Sequence, residues 1–339
     1  MSRPTRNHRK VELDSVALFG KCYSVIERLR IRQRTYLLLD RLSTSRRERY
    51  LAFDPFAGPR GAPVAILRLP RSQASRQHVQ SLQRRAGSNE TFPAILDYDE
   101  QGADTIVVLK WLRGVTLADY LTEMQAGHRP RISSVLAFQR MAGLAHGVSR
   151  WHNKGQIVHG DIKPENIIVS ADPGRFALID FGSAWVQQTA ATREIGDGTS
   201  SFYSAPEQEQ AGAAVNARAD QFALSVVLYQ LLTFTIPYDG LGGKAGRPGY
   251  AAKMADTLLS PSRLAADRDL IPQAVWRGID RVVMRGLAFD PDDRYPTPQA
   301  WLNDLDSVNL DIKRPVTISA TNRLLTQVIG WIGDRFRQD

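Results

Sequence analysis

The sequence predicts an α+β protein of two lobes, with a small antiparallel β-sheet in front, a larger and mostly helical lobe behind, and a cleft between them. Three observations carry this. Short apolar runs of aromatic and branched residues crowd the first third of the chain, flanked by Ser, Gly and Pro. Longer patterns of helical composition fill the chain from Leu117 onward. The exception in the back half is Ile157–Asp180, where Ile167–Val169 and Ala177–Ile179 flank a Pro/Gly turn as a hairpin would.

In chain order, residues 1–34 read as a basic extension, partly helical through Ser24–Arg34. Strands are expected at Tyr36–Leu42, Tyr50–Phe53 and Val64–Leu69, then a helix over Ser72–Ala86 and a strand at Thr105–Trp111. Helices follow at Leu117–Met124, Ser133–Asn153, Ala219–Thr233, Gln273–Ala288 and Pro298–Ser307. The main domain is therefore placed at 35–310, with its front lobe over 35–110 and its back lobe over 111–310. A tail follows at 311–339. Within Asn322–Gln338, Leu324, Leu325, Val328, Ile329, Ile332 and Phe336 recur at helical spacing among Arg323, Arg335 and Arg337. Such an amphipathic helix docks on the chain or on a partner, or lies on a membrane surface.

Charge is unevenly spread. Residues 1–90 hold 19 cations and 7 acids, net +12, which leaves −3 of the total +9 for residues 91–339. A compositional preference for arginine with a solvated face accounts for this, and nucleic acid is not the expected partner. The single cysteine, Cys22, excludes an intramolecular disulfide framework and points to a reducing, cytoplasmic setting. The start of the chain lacks the pattern of a secretory signal, because Glu12 and Asp14 interrupt it. The 18 uncharged residues Gln221–Tyr238 include two glutamines and Pro237, and read as a helix buried inside a globular lobe rather than a membrane span.

The chemistry concentrates in one segment, His159-Gly160-Asp161-Ile162-Lys163-Pro164-Glu165-Asn166, followed by Asp180-Phe181-Gly182. These two motifs at hairpin spacing resemble the catalytic loop and metal-binding motif of the eukaryotic-like serine/threonine protein kinases. The resemblance implies a two-lobed kinase fold, and Mg²⁺ and ATP as cofactors. It also implies Asp161 as the catalytic acceptor of a hydroxyl proton and Lys163 as a charge beside the transferring phosphoryl group. Asn166 and Asp180 would be the metal ligands, with His159, Phe181 and Gly182 in support. Ala205-Pro206-Glu207 resembles the end of the activation segment, Asp220 the buried acid beneath the catalytic loop, and Arg294 the partner of Glu207. Leu109-Lys110-Trp111-Leu112 is similar to the hinge that binds adenine, so Leu109, Lys110 and Leu112, with Ala65 across the cleft, are implied nucleotide contacts.

The front lobe departs from that pattern. The turn joining the first two strands is Ser43-Thr44-Ser45-Arg46-Arg47-Glu48-Arg49, and no glycine occurs between Gly20 and Gly58. Without glycine, backbone amides approach phosphates less closely. The third strand reads Val64-Ala65-Ile66-Leu67-Arg68, with leucine where the family carries its phosphate-binding lysine. No lysine lies between Lys21 and Lys110, and no acid between Asp54 and Glu90, so the partner glutamate, due near Gln80, is missing too. Arg68, or the Arg46, Arg47 and Arg49 set, is the expected substitute cation. The middle residue Gly160 stands where relatives carry an arginine that reads a phosphorylated activation segment. Three readings stand: a serine/threonine protein kinase acting on a protein hydroxyl, a pseudokinase that regulates or scaffolds a partner, and a small-molecule kinase of the aminoglycoside or choline type.

Overall fold

The computed structural model describes residues 14–42, 48–72, 75–76, 79, 91–155, 157–171, 174–179, 185–186, 202–210, 213–247 and 249–314. The front lobe is a six-stranded antiparallel sheet in the order β3-β4-β5-β6-β8-β7. Its strands are β3 (Glu27–Ile31), β4 (Arg34–Arg41), β5 (Glu48–Asp54), β6 (Ala62–Pro70), β7 (Ile95–Gln101) and β8 (Asp104–Lys110). The strands expected at 36–42, 50–53, 64–69 and 105–111 are β4, β5, β6 and β8. The helix expected over Ser72–Ala86 lies mostly outside the described residues.

The helical expectation for Ser24–Arg34 is corrected. Glu27–Ile31 is an edge strand whose Leu29 and Ile31 are buried while Arg28 and Arg30 face out, an alternation of period two. Arg32, at φ 51°, turns the chain back into β4. The sheet therefore begins upstream of residue 35. Ahead of it stands a further hairpin, β1 (Ser15–Leu18) with β2 (Lys21–Ser24). Val16 packs with Leu37, Leu39, Leu51 and Phe53 on one sheet face, and Phe19 at the hairpin tip stacks on Trp111 with ring centroids 5.7 Å apart. Strand β7 was hidden by its acids, which are matched by arginines: Asp97 by Arg32, and Glu100 by Arg71 and Arg76.

The back lobe packs long helices Leu117–Gln125, Ser134–Gly155, Ala217–Thr233, Gln273–Gly286 and Pro298–Lys313 around one core. The Ala217–Thr233 helix has thirteen of its 17 residues buried, which explains its uncharged run. Among the described residues no helix is long and apolar enough to cross a membrane. The Pro298–Lys313 helix runs past the expected boundary at 310, and the amphipathic segment Asn322–Gln338 lies outside the described residues. After the two-residue strand β10 (Ile157–Val158), β11 (Ile167–Ser170) and β12 (Phe176–Leu178) join β9 (Gly114–Thr116) in a small sheet packed on the back-lobe helices, in the order β12-β11-β9. The turn after β11 is the hairpin expected at 167–179.

Candidate active site

A cleft of about 540 Å³ opens between the lobes. Its lining includes Ala65, Leu109, Lys110 and Leu112 of the expected nucleotide contacts, with Leu42 and Arg49 at the end of the β4–β5 turn and Ile168 and Ile179 on the back-lobe side. Gly114, which leaves the hinge, is required there. It adopts φ +155°, and a Cβ would come within 2.2 Å of the Val169 carbonyl oxygen.

Strand parity decides the fate of the expected substitute cation. Along β6, Leu67 and Leu69 join a cluster with Val79, Val107 and Leu109, whereas Val64 and Ile66 join the cluster of Tyr36 and Tyr50 on the other face. Ile66 and Leu67 both border the cleft, but Arg68 does not, and its side chain extends on the face of Tyr50. Its Nη2 donates to Glu27 Oε1 at 2.6 Å, its Nη1 lies 3.8 Å from Glu48 Oε2, and its guanidinium sits 5.3 Å from the Tyr50 ring centroid. Arg68 is thus not a cleft residue. Its counter-ion comes from β3, the strand that sequence reasoning read as helical. Arg49 is the arginine of the expected set that lines the cleft; Arg46 and Arg47 lie outside the described residues.

The catalytic-loop residues converge. Asp161 is buried, and its Oδ2 lies 3.0 Å from Lys163 Nζ. Asn166 Nδ2 donates to the Asp161 carbonyl at 2.8 Å and to Asp161 Oδ2 at 3.1 Å. That leaves Asn166 Oδ1 buried with no hydrogen-bond partner among the described residues. A buried, unpaired carbonyl oxygen beside a carboxylate is the donor type Mg²⁺ selects, so the residues present fit that ion. The Ile179 amide donates to the Asn166 carbonyl at 2.7 Å, which brings the chain back to the loop one residue before Asp180. Asp180, Phe181 and Gly182 themselves lie outside the described residues.

Asp220, fully buried in the first turn of its helix, holds the loop from beneath. It accepts from the His159 amide at 2.8 Å, the Gly160 amide at 2.9 Å and His152 Nε2 at 2.8 Å. Burial alone would raise its pKa. The hydrogen bond and charge of His152, the charge of His159 and the Gly160 amide outweigh burial, holding the carboxyl below its usual range. Gly160 itself sits at φ +73°, the left-handed region that glycine enters without strain. His159 is fully buried, and its Nδ1 accepts from the Asp161 amide at 3.4 Å.

Further out, Arg294 is fully buried and pairs with Glu207 through two bonds of 2.7 and 2.9 Å. Its remaining donors reach the carbonyls of Arg218, Ala288 and Phe289. Two residues that sequence reasoning missed complete the frame: His152 on Asp220, and Gln208. The Gln208 amide nitrogen donates to the Gly160 carbonyl, and its oxygen accepts from the Ala205 amide, each at 2.9 Å. Neither carries a local sequence signal, since their partners lie 68 and 48 residues away.

Residues 80–301 match the profile described as protein kinase domain. The chain belongs to the protein kinase family, in its serine/threonine branch. The kinase profile begins after β6, so the strands that lack the glycine loop and lysine fall outside the match. Kinase relatives include PrkC of Bacillus subtilis, 30% identical over 228 residues, covering 65% of this chain and 32% of that protein. PknL of Mycobacterium tuberculosis is 30% identical over 236 residues, covering 67% and 53%. PknE of the same species is 34% identical over 204 residues, covering 60% and 33%. The chain spans about a third to a half of the length of these relatives. In fold it is similar to the kinase domain of M. tuberculosis PknI (TM-score 0.53, 21% identity, 80% of this chain and 96% of that one). It is also similar to the kinase PK-1 of Cydia pomonella granulovirus (TM-score 0.61, 18% identity, 79% and 93%). Kinase family membership implies the use of ATP and Mg²⁺ and protein substrates.

Proposed function

We propose that the protein binds Mg-ATP in the interlobe cleft and transfers the γ-phosphoryl group to a serine or threonine hydroxyl of a protein. The observation that carries this reading is the arrangement of Asp161, Lys163 and Asn166, with the Asn166 Oδ1 atom buried and unpaired among the described residues. Asn166 and Asp180 would hold Mg²⁺, which when bound neutralises charge on the phosphates. Asp161 orients the acceptor hydroxyl and takes its proton, and Lys163 adds positive charge at the same place. Ala65, Leu109 and Ile168 supply apolar walls for adenine, and Arg49, in β5, supplies a cation at the edge of the cleft.

Leu67 in the cleft favours a second reading, a pseudokinase that binds a partner without phosphotransfer. Losing one preorganised electrostatic contact typically costs about 10²–10³ in rate, which lowers phosphotransfer without removing it. A radiolabelled transfer assay on protein substrates, run beside a thermal-shift titration of ATP with and without Mg²⁺, decides between them. The kinase reading expects a Mg²⁺-dependent shift that Asn166→Ala diminishes, and transfer that Asp161→Asn removes while ATP binding stays. Binding without any transfer by the unaltered protein would establish the pseudokinase. No binding at millimolar ATP would refute the kinase reading and leave a pseudokinase that works without nucleotide.

A further inference from the structure

The hairpin of β1 and β2 turns through Phe19 and Gly20, at φ 52° and φ 76°. Two central residues in the left-handed region make a turn that glycine, asparagine and aspartate favour, and a bulky side chain there is strained. Phe19 is also 52% exposed, so burial does little to offset that strain. Its ring contact among the described residues is Trp111, with centroids 5.7 Å apart and planes 28° from parallel. Nothing local to the hairpin asks for an aromatic at this position.

Trp111 is the first residue after β8 and lines the interlobe cleft beside Leu109, Lys110 and Leu112. The connection it opens continues into β9, which pairs with β11 in the back lobe. The hairpin, by contrast, is fixed to the front lobe. Val16 packs with Leu37, Leu39, Leu51 and Phe53, and Leu18, Tyr23 and Trp111 pack against the same cluster. At the base of the hairpin the Val25 amide donates to the Asp14 carbonyl at 2.9 Å, and the Ile26 amide donates to the Leu38 carbonyl at 2.8 Å. The stack of Phe19 on Trp111 therefore ties an element held by the front lobe to the hinge, at the rim of the cleft.

We propose that Phe19 is a positioning residue for the nucleotide: stacked on Trp111, it presets the hinge at the spacing from the front lobe that fits adenine. The role rests on Mg-ATP binding in the cleft. Phe19 acts through Trp111 and the hinge backbone, without touching the nucleotide. A hinge that is already ordered loses less freedom on binding, so the contribution is read as affinity for the adenine end of the ligand. A bulky ring held in a strained turn is an outlier of the kind that accompanies a functional constraint.

Phe19→Asn separates this role from a structural one. Asn-Gly is the favoured pair for such a turn, so the variant should keep or raise the unfolding temperature of the chain without ligand. Its Kd for Mg-ATP, measured by calorimetric titration of the full chain, should nonetheless rise roughly three- to tenfold, the range expected for loss of an aromatic pair. Adenosine should lose affinity by the same factor, because the effect lies at the adenine end. Phe19→Tyr, which keeps the ring, should bind both ligands as the unaltered protein does. If the unaltered protein binds Mg-ATP and Phe19→Asn binds it equally well, the positioning role is overturned while the nucleotide site stands. Loss of ATP affinity with adenosine affinity unchanged overturns it as well. If the unaltered protein binds no Mg-ATP at millimolar concentration, the nucleotide reading fails and the positioning role falls with it.

Discussion

Removing the Arg294 guanidinium should be among the most damaging single substitutions in the back lobe. Arg294→Met leaves Glu207, itself buried, without its partner, and breaking a buried pair in this way costs roughly 3–5 kcal/mol. Three backbone carbonyls, of Arg218, Ala288 and Phe289, lose a donor at the same time. The loss should therefore lie near the upper end, about 5 kcal/mol. For a lobe of this size that corresponds to a fall in unfolding temperature of roughly 10 °C or more. Arg294→Lys should be intermediate, since one ammonium cannot reach all the acceptors that the planar fork serves. The double variant Arg294→Met with Glu207→Leu should be less destabilised than the two single losses added together, because no charge is left buried. Thermal unfolding followed by circular dichroism measures all four. A single variant that loses only about 1 kcal/mol, or a double variant that equals the sum of its singles, would refute the account of this brace.

Other positions make equally specific demands. Gly160→Arg, which restores the residue that relatives carry, should lower the urea midpoint, because a side chain at φ +73° adds about 1–3 kcal/mol of strain; an unchanged midpoint would remove that argument. The lowered pKa of Asp220 means the native state binds fewer protons than the unfolded chain as pH falls. Its contribution is complete above the unfolded value of about 3.9 and is lost as pH drops through the native value. Asp220→Asn should flatten the acid limb of the urea midpoint below about pH 4, and parallel limbs would count against the assignment. Arg68→Met should leave ATP affinity unchanged and cost about 0.5–1 kcal/mol from its partly exposed pairs with Glu27 and Glu48. Arg49→Gln should weaken ATP binding in the same titration, and the reverse pattern would show that the parity of β6 had been misassigned.

The back lobe was legible because its helices repeat apolar residues over many turns and its motif residues stand at fixed spacings. The front lobe was less so, for separate physical reasons. Glu27–Ile31 alternates over only five residues inside a basic stretch, too short to outweigh the composition around it. Strand β7 carries three acids in seven residues, which reads as a loop until the facing arginines are known. The hairpin Ser15–Ser24 turns on Phe19-Gly20, and although Gly20 is the usual second residue, Phe19 at φ 52° stands where the signal would be asparagine, aspartate or glycine. The placing of Arg68 was recoverable. Once Leu67 is assigned to the cleft, alternation along the strand directs the Arg68 side chain to the other face, where Glu27 and Glu48 hold it, and Arg49 is left as the better candidate. Gln208 and His152 were not recoverable, because each acts through a partner that is distant in the chain.

The anchoring of the catalytic loop on Asp220 also sets how that loop exchanges hydrogen with solvent. The His159 and Gly160 amides sit in irregular backbone, where rapid deuterium uptake would ordinarily be expected. Their acceptor, however, belongs to the first turn of the Ala217–Thr233 helix, which is buried on nearly every side. Releasing either amide requires that helix to separate from the loop, an opening of the lobe rather than a local fluctuation. Uptake at these two amides therefore follows the rate of the helix interior. They form a slow-exchanging marker of back-lobe integrity within a segment that secondary structure alone would class as a coil.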